Sequence, residues 1–166
     1  TSVLAQAPSL AGTWKLDAGR SRVTASAGLT GLIGSGAPEM LHITQPSNGT
    51  VIVESQINES HARVYVPGAK TSTPVTVGPA GSITMTSRWD AGAPGGEGTR
   101  ERASGPARVS TAVREVLTAG RDGQTLTIQV TATTGDGTSV STLVYTRTTD
   151  VGPCHSWPTP CKLPAP

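Results

Sequence analysis

Phenylalanine is absent from this chain, and aromatic residues make up only 3% of its 166 residues. A core made from such a sequence must be built from Val, Ile, Leu and Ala, with the few Trp and Tyr at special positions. Long apolar runs are also lacking, since none reaches the roughly 18 residues that a membrane-spanning helix needs. The length fits one domain with a single, thin core.

An excess of charge of either sign is lacking as well. The chain has 13 basic and 11 acidic residues, for a net charge of +2. Its densest basic stretch, Arg100 to Arg108, is interrupted by Glu101 and preceded by Glu97. Nucleic-acid binding relies on a basic surface that neutralises several phosphates. We therefore expect no nucleic-acid partner.

Cysteine is scarce, and both cysteines, Cys154 and Cys161, lie in the Pro-rich tail 149–166. A pair of cysteines in an exported protein suggests one local disulfide. A metal site in the tail is the weaker alternative. The two cysteines and His155 would provide three ligands, whereas a structural zinc site needs four. The segment 5–7, Ala-Gln-Ala, has the small-x-small form of a signal-peptidase site, although an Ala-rich segment can also match it by coincidence. We expect a periplasmic or extracellular protein.

Short strands with period-two alternation recur from Met40 onward, and a turn signal follows each of them. The clearest of these strands has Ile83, Met85, Ser87 and Trp89 on one face. This rhythm predicts an all-β fold, an antiparallel up-and-down β-barrel of about eight or nine strands, with a two-sheet sandwich as the alternative. We divide the chain into an N-terminal extension (1–11), the barrel (12–148) and an irregular Pro-rich tail (149–166).

The parity of the apolar positions predicts the length of three hairpin loops. A three-residue turn with Gly49 in the left-handed region fits the first of them, and a four-residue loop fits 120–123. A three-residue loop at 135–137 would turn Val140 and Val144 inward. The parity also places His42 on the solvent side, opposite Leu41 and Ile43. The Gly- and Pro-rich stretch 90–107 is interpreted as a long mobile loop.

Two short motifs carry a resemblance to a known family. Gly12-Thr13-Trp14 opens the first strand, and Tyr145-Thr146-Arg147 ends the last one. In these motifs the chain resembles a lipocalin-like, calycin-type barrel of the small exported bacterial kind. The resemblance implies that Arg147 lies over the indole of Trp14 and closes the bottom of the barrel. It implies a structural role for this pair, with no part in ligand binding.

No motif for catalysis accompanies the histidines, and neither a nucleophile elbow nor a Cys-His pairing is present. His42, His61 and Glu54 could in principle meet at a metal ion, but their spacing is not diagnostic. We therefore expect a protein that is not an enzyme and has no cofactor and no metal.

Two functions fit these expectations. The first is an accessory subunit that docks on a larger hetero-assembly. The suggested location is the periplasmic face of a membrane complex such as a photosynthetic reaction centre or a respiratory complex, although no motif indicates it. Its expected contact residues are apolar and lie in irregular segments: Leu29, Leu32, Ile33, Trp157 and Leu163. The alternative is a carrier of a small apolar ligand in the lumen. Its expected wall residues are Ile83, Met85, Val113 and Ile128, which would equally suit a packed core.

Overall fold

Ten antiparallel strands form the structure, which is a computed structural model. It describes residues 8–23, 38–46, 48–55, 63–75, 81–90 and 92–149. The strands are β1 (Gly12–Leu16), β2 (Met40–Thr44), β3 (Val51–Ser55), β4 (Arg63–Tyr65), β5 (Lys70–Val75), β6 (Gly81–Asp90), β7 (Ala93–Ser104), β8 (Ala107–Ala119), β9 (Thr125–Thr134) and β10 (Gly137–Thr148). The described residues contain no α-helix, and so none that could cross a membrane.

The strand order is that of an up-and-down barrel. It runs β4-β3-β2-β1-β10-β9-β8-β7-β6-β5. Strands that are consecutive in sequence are therefore paired, except β4 and β5 at the two ends of the order, and β1 pairs with β10. The two ends of this sheet meet at the turn between β4 and β5, where Gly68 N donates to Ser87 O at 3.0 Å and Ser87 N donates to Ala69 O at 2.9 Å. The predicted all-β barrel is confirmed. The described residues form ten strands, where eight or nine were predicted, and the barrel is nearly closed.

The apolar side chains that period-two alternation predicted to face inward lie on the inner face of the barrel. On β6, Ile83, Met85 and Ser87 are buried, and Trp89 packs against the core. The core cluster contains Leu10, Trp14, Leu41, Ile43, Val51, Val53, Tyr65, Ile83, Met85, Val113, Leu117, Leu126, Ile128, Val130, Leu143 and Tyr145. Aliphatic residues supply most of this set, as a chain without phenylalanine requires.

The stretch predicted to be a mobile loop is instead a twelve-residue strand, β7, paired along its length with β6 and β8. Its glycines are needed for close packing. A Cβ on Gly95 would collide with the carbonyl oxygen of Glu115, and one on Gly98 would collide with that of Thr84. The prediction was wrong because glycine marks a close approach of backbones here, as well as turns.

Of the three predicted loops, two are confirmed in part and one is wrong. For the first hairpin, the odd parity and the left-handed glycine are what the structure confirms: Ile43 pairs with Val53, and Gly49 has a φ of +85°. Gly120 N donates to Thr125 O at 2.7 Å, so the second loop has the predicted four residues, but they are 121–124 instead of 120–123.

The wrong loop is the one between β9 and β10. Gly137 pairs with Thr134, so this loop has two residues, and a change of one residue turns every side chain of β10 to the other face. Leu143 and Tyr145 therefore fill the core, while Val140 is 45% exposed.

Candidate ligand-binding site

Four side chains from three strands meet inside the barrel and form what we call the inner polar cluster: Arg63, Tyr65, Met85 and Glu115. Arg63 and Tyr65 alternate inward on β4, Met85 lies on β6, and Glu115 follows the parity of Val113 on β8. All four are almost fully buried, with relative exposures of 1% or less. A carboxylate and a guanidinium are thus enclosed together within a core that is otherwise mostly apolar.

Glu115 links the two polar side chains of β4. Tyr65 Oη donates to Glu115 Oε2 at 2.5 Å, and Arg63 Nη2 lies 3.5 Å from Glu115 Oε1. Burial raises the pKa of Tyr65 well above its usual value, the negative charge of Glu115 raises it further, and Arg63 opposes this. The phenol is therefore a neutral donor at physiological pH.

Arg63 is poorly satisfied by the residues around it. Its Nη1 donates to the sulfur of Met85 at 3.5 Å, and a thioether is a weak acceptor. Arg63 Nε, Arg63 Nη2 and Glu115 Oε1 have no hydrogen-bond partner in the part of the chain that the structure describes. Buried polar groups are ordinarily hydrogen-bonded, and each unsatisfied one costs roughly 1–3 kcal/mol, with more for charged groups. This cluster is therefore the feature of the core that packing alone explains least.

Two glycines of β7, Gly96 and Gly98, lie beside the cluster. Gly96 pairs with Glu115 on one side and Ser87 on the other, and Gly98 pairs with Met85. Neither glycine contributes a side chain to the inner face next to the cluster. A Cβ at Gly96 would lie 3.3 Å from both the sulfur of Met85 and the carbonyl oxygen of Thr86, and one at Gly98 would collide with the backbone of β6. Neighbouring atoms therefore already occupy the space beside these glycines.

A second arginine, Arg147 on β10, lies over Trp14 on β1. Its guanidinium carbon lies 4.2 Å from the centre of the Trp14 ring. Its three nitrogens donate to backbone carbonyls, Nε to Gly123 at 2.9 Å, Nη1 to Ala11 at 2.6 Å and Nη2 to Ser9 at 3.0 Å. These contacts tie the first strand, the last strand and the 121–124 loop together, which is a structural role.

The residues expected to line a lumen are all inside the barrel. Ile83, Met85, Val113 and Ile128 have relative exposures of 1%, 1%, 3% and 0%, and all belong to the core cluster. Met85 also contacts Arg63 and so joins the apolar wall to the inner polar cluster.

A row of polar residues on the outside of the barrel is also buried. Thr13, His42 and Glu54 pair across β1, β2 and β3, and their exposures are 0%, 5% and 0%. Thr13 Oγ1 lies 3.3 Å from His42 Nδ1, and burial lowers the pKa of His42 while Glu54 opposes this. The prediction that His42 faces solvent was wrong, because an outward direction does not guarantee contact with water. The described residues contain no group of His, Cys, Asp and Glu that could hold a metal ion.

Several predicted site residues lie outside the described part of the chain. These are Leu29, Leu32, Ile33, His61, Cys154, Trp157, Cys161 and Leu163. The docking contacts and the disulfide therefore stay predictions.

Comparison with protein-family models, with curated proteins and with solved structures found no match to this chain. The class that the structure itself defines is an all-β, up-and-down barrel with an ionic cluster in its interior. Arg63, Tyr65 and Glu115 were not among the site residues predicted from the sequence. The signal for Glu115 was its position midway between the inward residues Val113 and Leu117.

Proposed function

We propose that the protein is a non-enzymatic, exported barrel of the lipocalin-like kind, which carries one small and largely apolar molecule in its lumen. The polar end of that molecule lies at the inner polar cluster, and its apolar part lies along the wall formed by Ile83, Met85, Val113 and Ile128. The observation that carries this proposal is the fully buried Arg63, whose Nε and Nη2 have no partner among the described residues.

The buried ion pair of Arg63 and Glu115 is not expected to increase the stability of the fold. Removing two charges from water costs several kcal/mol for each ion, and only good geometry with further hydrogen bonds offsets that cost. At 3.5 Å, the contact between Arg63 Nη2 and Glu115 Oε1 is longer than a good charge-assisted hydrogen bond of about 2.8 Å. A ligand that forms hydrogen bonds with these unsatisfied groups would supply the missing interactions, and binding that ligand would be the function of the pair.

Native mass spectrometry of the protein, purified gently from its source, tests this function. The same preparation is extracted and its small molecules are identified. We expect a single chain that carries one defined compound in a one-to-one ratio. A ligand-free monomer whose extract contains no enriched compound would count against the carrier.

We also infer a second candidate function, the accessory subunit of a larger assembly at the periplasmic face of a membrane. The supporting observation is that Val23 and Val140 are each 45% exposed, and they are the large apolar residues exposed in the described ranges. The two lie near each other, since Arg22 pairs with Thr142 beside them. Val23 also directly precedes the segment that contains Leu29, Leu32 and Ile33. In the same native measurement, this function predicts co-purification in a fixed ratio with a multi-subunit complex.

A further inference from the structure

The unsatisfied atoms of the inner polar cluster specify more than the presence of a ligand. They comprise two donor nitrogens, Arg63 Nε and Arg63 Nη2, and one acceptor oxygen, Glu115 Oε1. The N–H groups of Nε and Nη2 point from the same edge of the guanidinium plane. The other edge is directed at Met85 through Nη1, and the second oxygen of Glu115 already accepts from Tyr65.

We propose that the carried molecule has a neutral head group that both accepts and donates a hydrogen bond, as an alcohol or a primary amide does. This inference rests on the proposed carrier function and names the chemical class of its ligand. The head-group oxygen accepts from Arg63, and its O–H or N–H donates to Glu115 Oε1.

The distances in the cluster allow this arrangement. Arg63 Nη2 and Glu115 Oε1 are 3.5 Å apart. An oxygen at a normal hydrogen-bond distance of about 2.8 Å from each of them forms a triangle without strain. A hydroxyl oxygen can therefore be within hydrogen-bond distance of both atoms at their present separation.

Other head groups satisfy only part of the cluster. An ether or an ester accepts from Arg63 but leaves Glu115 Oε1 without a donor. An ionised carboxylate does the same and also brings a second negative charge close to Glu115, within a core of low dielectric where like charges repel strongly. An unbranched hydrocarbon leaves all three atoms unsatisfied.

A matched series of eight-carbon probes tests this inference by isothermal titration calorimetry at pH 7.5. The probes are octan-1-ol, octanamide, octyl methyl ether and octanoate, which share an apolar tail and differ in the head group. We expect the alcohol and the amide to bind at least about tenfold more tightly than the ether, which is the size of effect that one unsatisfied buried acceptor produces. Octanoate should bind more weakly than the alcohol.

The variant Glu115→Gln sharpens the test. The amide replaces one carboxylate oxygen with a donor, so the cluster then needs a head group that only accepts. We expect the ratio of alcohol affinity to ether affinity to fall toward one. Glu97→Gln is the matched control, because Glu97 is an exposed carboxylate on the outer face of β7, and it should keep the wild-type ratio. Thermal unfolding of both variants verifies that they are folded.

The outcomes separate the two proposals. If the four probes bind with equal affinity, the lumen is a carrier site but the head-group inference is overturned. The same holds if Glu115→Gln leaves the ratio unchanged. If no probe binds, both the carrier function and this inference are overturned.

Discussion

Two arginines in this barrel contact different kinds of partner. Arg147 lies over Trp14, and each of its three nitrogens donates to a backbone carbonyl. Arg63 is more deeply buried, at 1% exposure, yet it faces a carboxylate at 3.5 Å and a thioether sulfur.

The comparison separates an arginine whose hydrogen bonds are complete from one whose hydrogen bonds are not. Backbone carbonyls are fixed by the fold, so the interactions of Arg147 are complete as soon as the chain folds. The interactions of Arg63 are incomplete in the described structure, and burial makes that incompleteness costly. Changes at the two sites should therefore differ both in size and in what they affect.

The largest effect is expected from Glu115→Ala. This change leaves Arg63 as a buried cation without its counter-charge, which typically costs about 3–5 kcal/mol of unfolding free energy. Urea unfolding measures the loss. Glu97→Ala, which removes an exposed carboxylate beside Arg88 and Arg114, should cost less than about 1 kcal/mol. Equal losses in the two variants would contradict the account of a buried ionic cluster.

A smaller loss is expected from Arg147→Ala. The change removes a cation–π contact of roughly 0.5–2 kcal/mol together with three hydrogen bonds that are partly exposed to water. We expect a total loss of about 2–3 kcal/mol by urea unfolding, with unchanged binding of octan-1-ol once the protein is folded. Arg108→Ala is the control, since the 81% exposed side chain pairs only with Glu101 in the described residues. If folded Arg147→Ala lost the binding of octan-1-ol, the proposed difference between the roles of Arg147 and Arg63 would be contradicted.

The triple change Arg63→Met, Tyr65→Phe and Glu115→Leu separates stability from binding. Tyr65→Phe is included because the buried Tyr65 Oη would otherwise lose its acceptor, Glu115 Oε2. Replacing a buried ion pair by apolar residues of similar volume is often neutral or stabilising by about 1–4 kcal/mol. We expect unfolding free energy equal to or above that of the wild type, and loss of the preference for octan-1-ol over octyl methyl ether. A marked loss of stability would show that the pair is structural in the way that Arg147 is.

The smallest effect is expected from Tyr65→Phe at alkaline pH. The pKa of Tyr65 is raised in the folded state, so above the unfolded value of about 10 the folded chain keeps a proton that the unfolded chain loses. Unfolding free energy should therefore fall as pH rises above about 10, by up to about 1.4 kcal/mol per pH unit for each such tyrosine. Because Tyr145 also has a raised pKa, the variant should keep part of this slope and lose part of it. An unchanged slope between pH 10 and 11 would contradict the burial of the phenol against Glu115.

The sequence predicted much of the fold because alternation is a direct record of burial. The β6 residues Ile83, Met85 and Ser87 lie inward as expected, and the first hairpin has the predicted odd parity. The errors, in β7 and in the loop between β9 and β10, arose where one residue type occurs in two different structural environments. Glycine forms turns, but in β7 it permits close backbones, and valine at position 140 is apolar although it faces outward.

The candidate site was harder to predict for a different reason. Charged residues are rarely inside, so Arg63 and Glu115 are naturally assigned to the surface. Their positions in the alternation place them inward, and only the barrel topology brings β4 and β8 to the same cluster. The unsatisfied state of Arg63 is a property of three-dimensional distances, and no spacing in the sequence encodes it.

A crystal structure of the protein with octan-1-ol tests the central claim most directly. We predict a hydroxyl oxygen at roughly 2.7–3.2 Å from a nitrogen of Arg63 and at a similar distance from Glu115 Oε1, with the alkyl chain along the inner wall. The claim is contradicted if Arg63 and Glu115 are fully hydrogen-bonded to protein groups or water while the octanol lies elsewhere or is not bound.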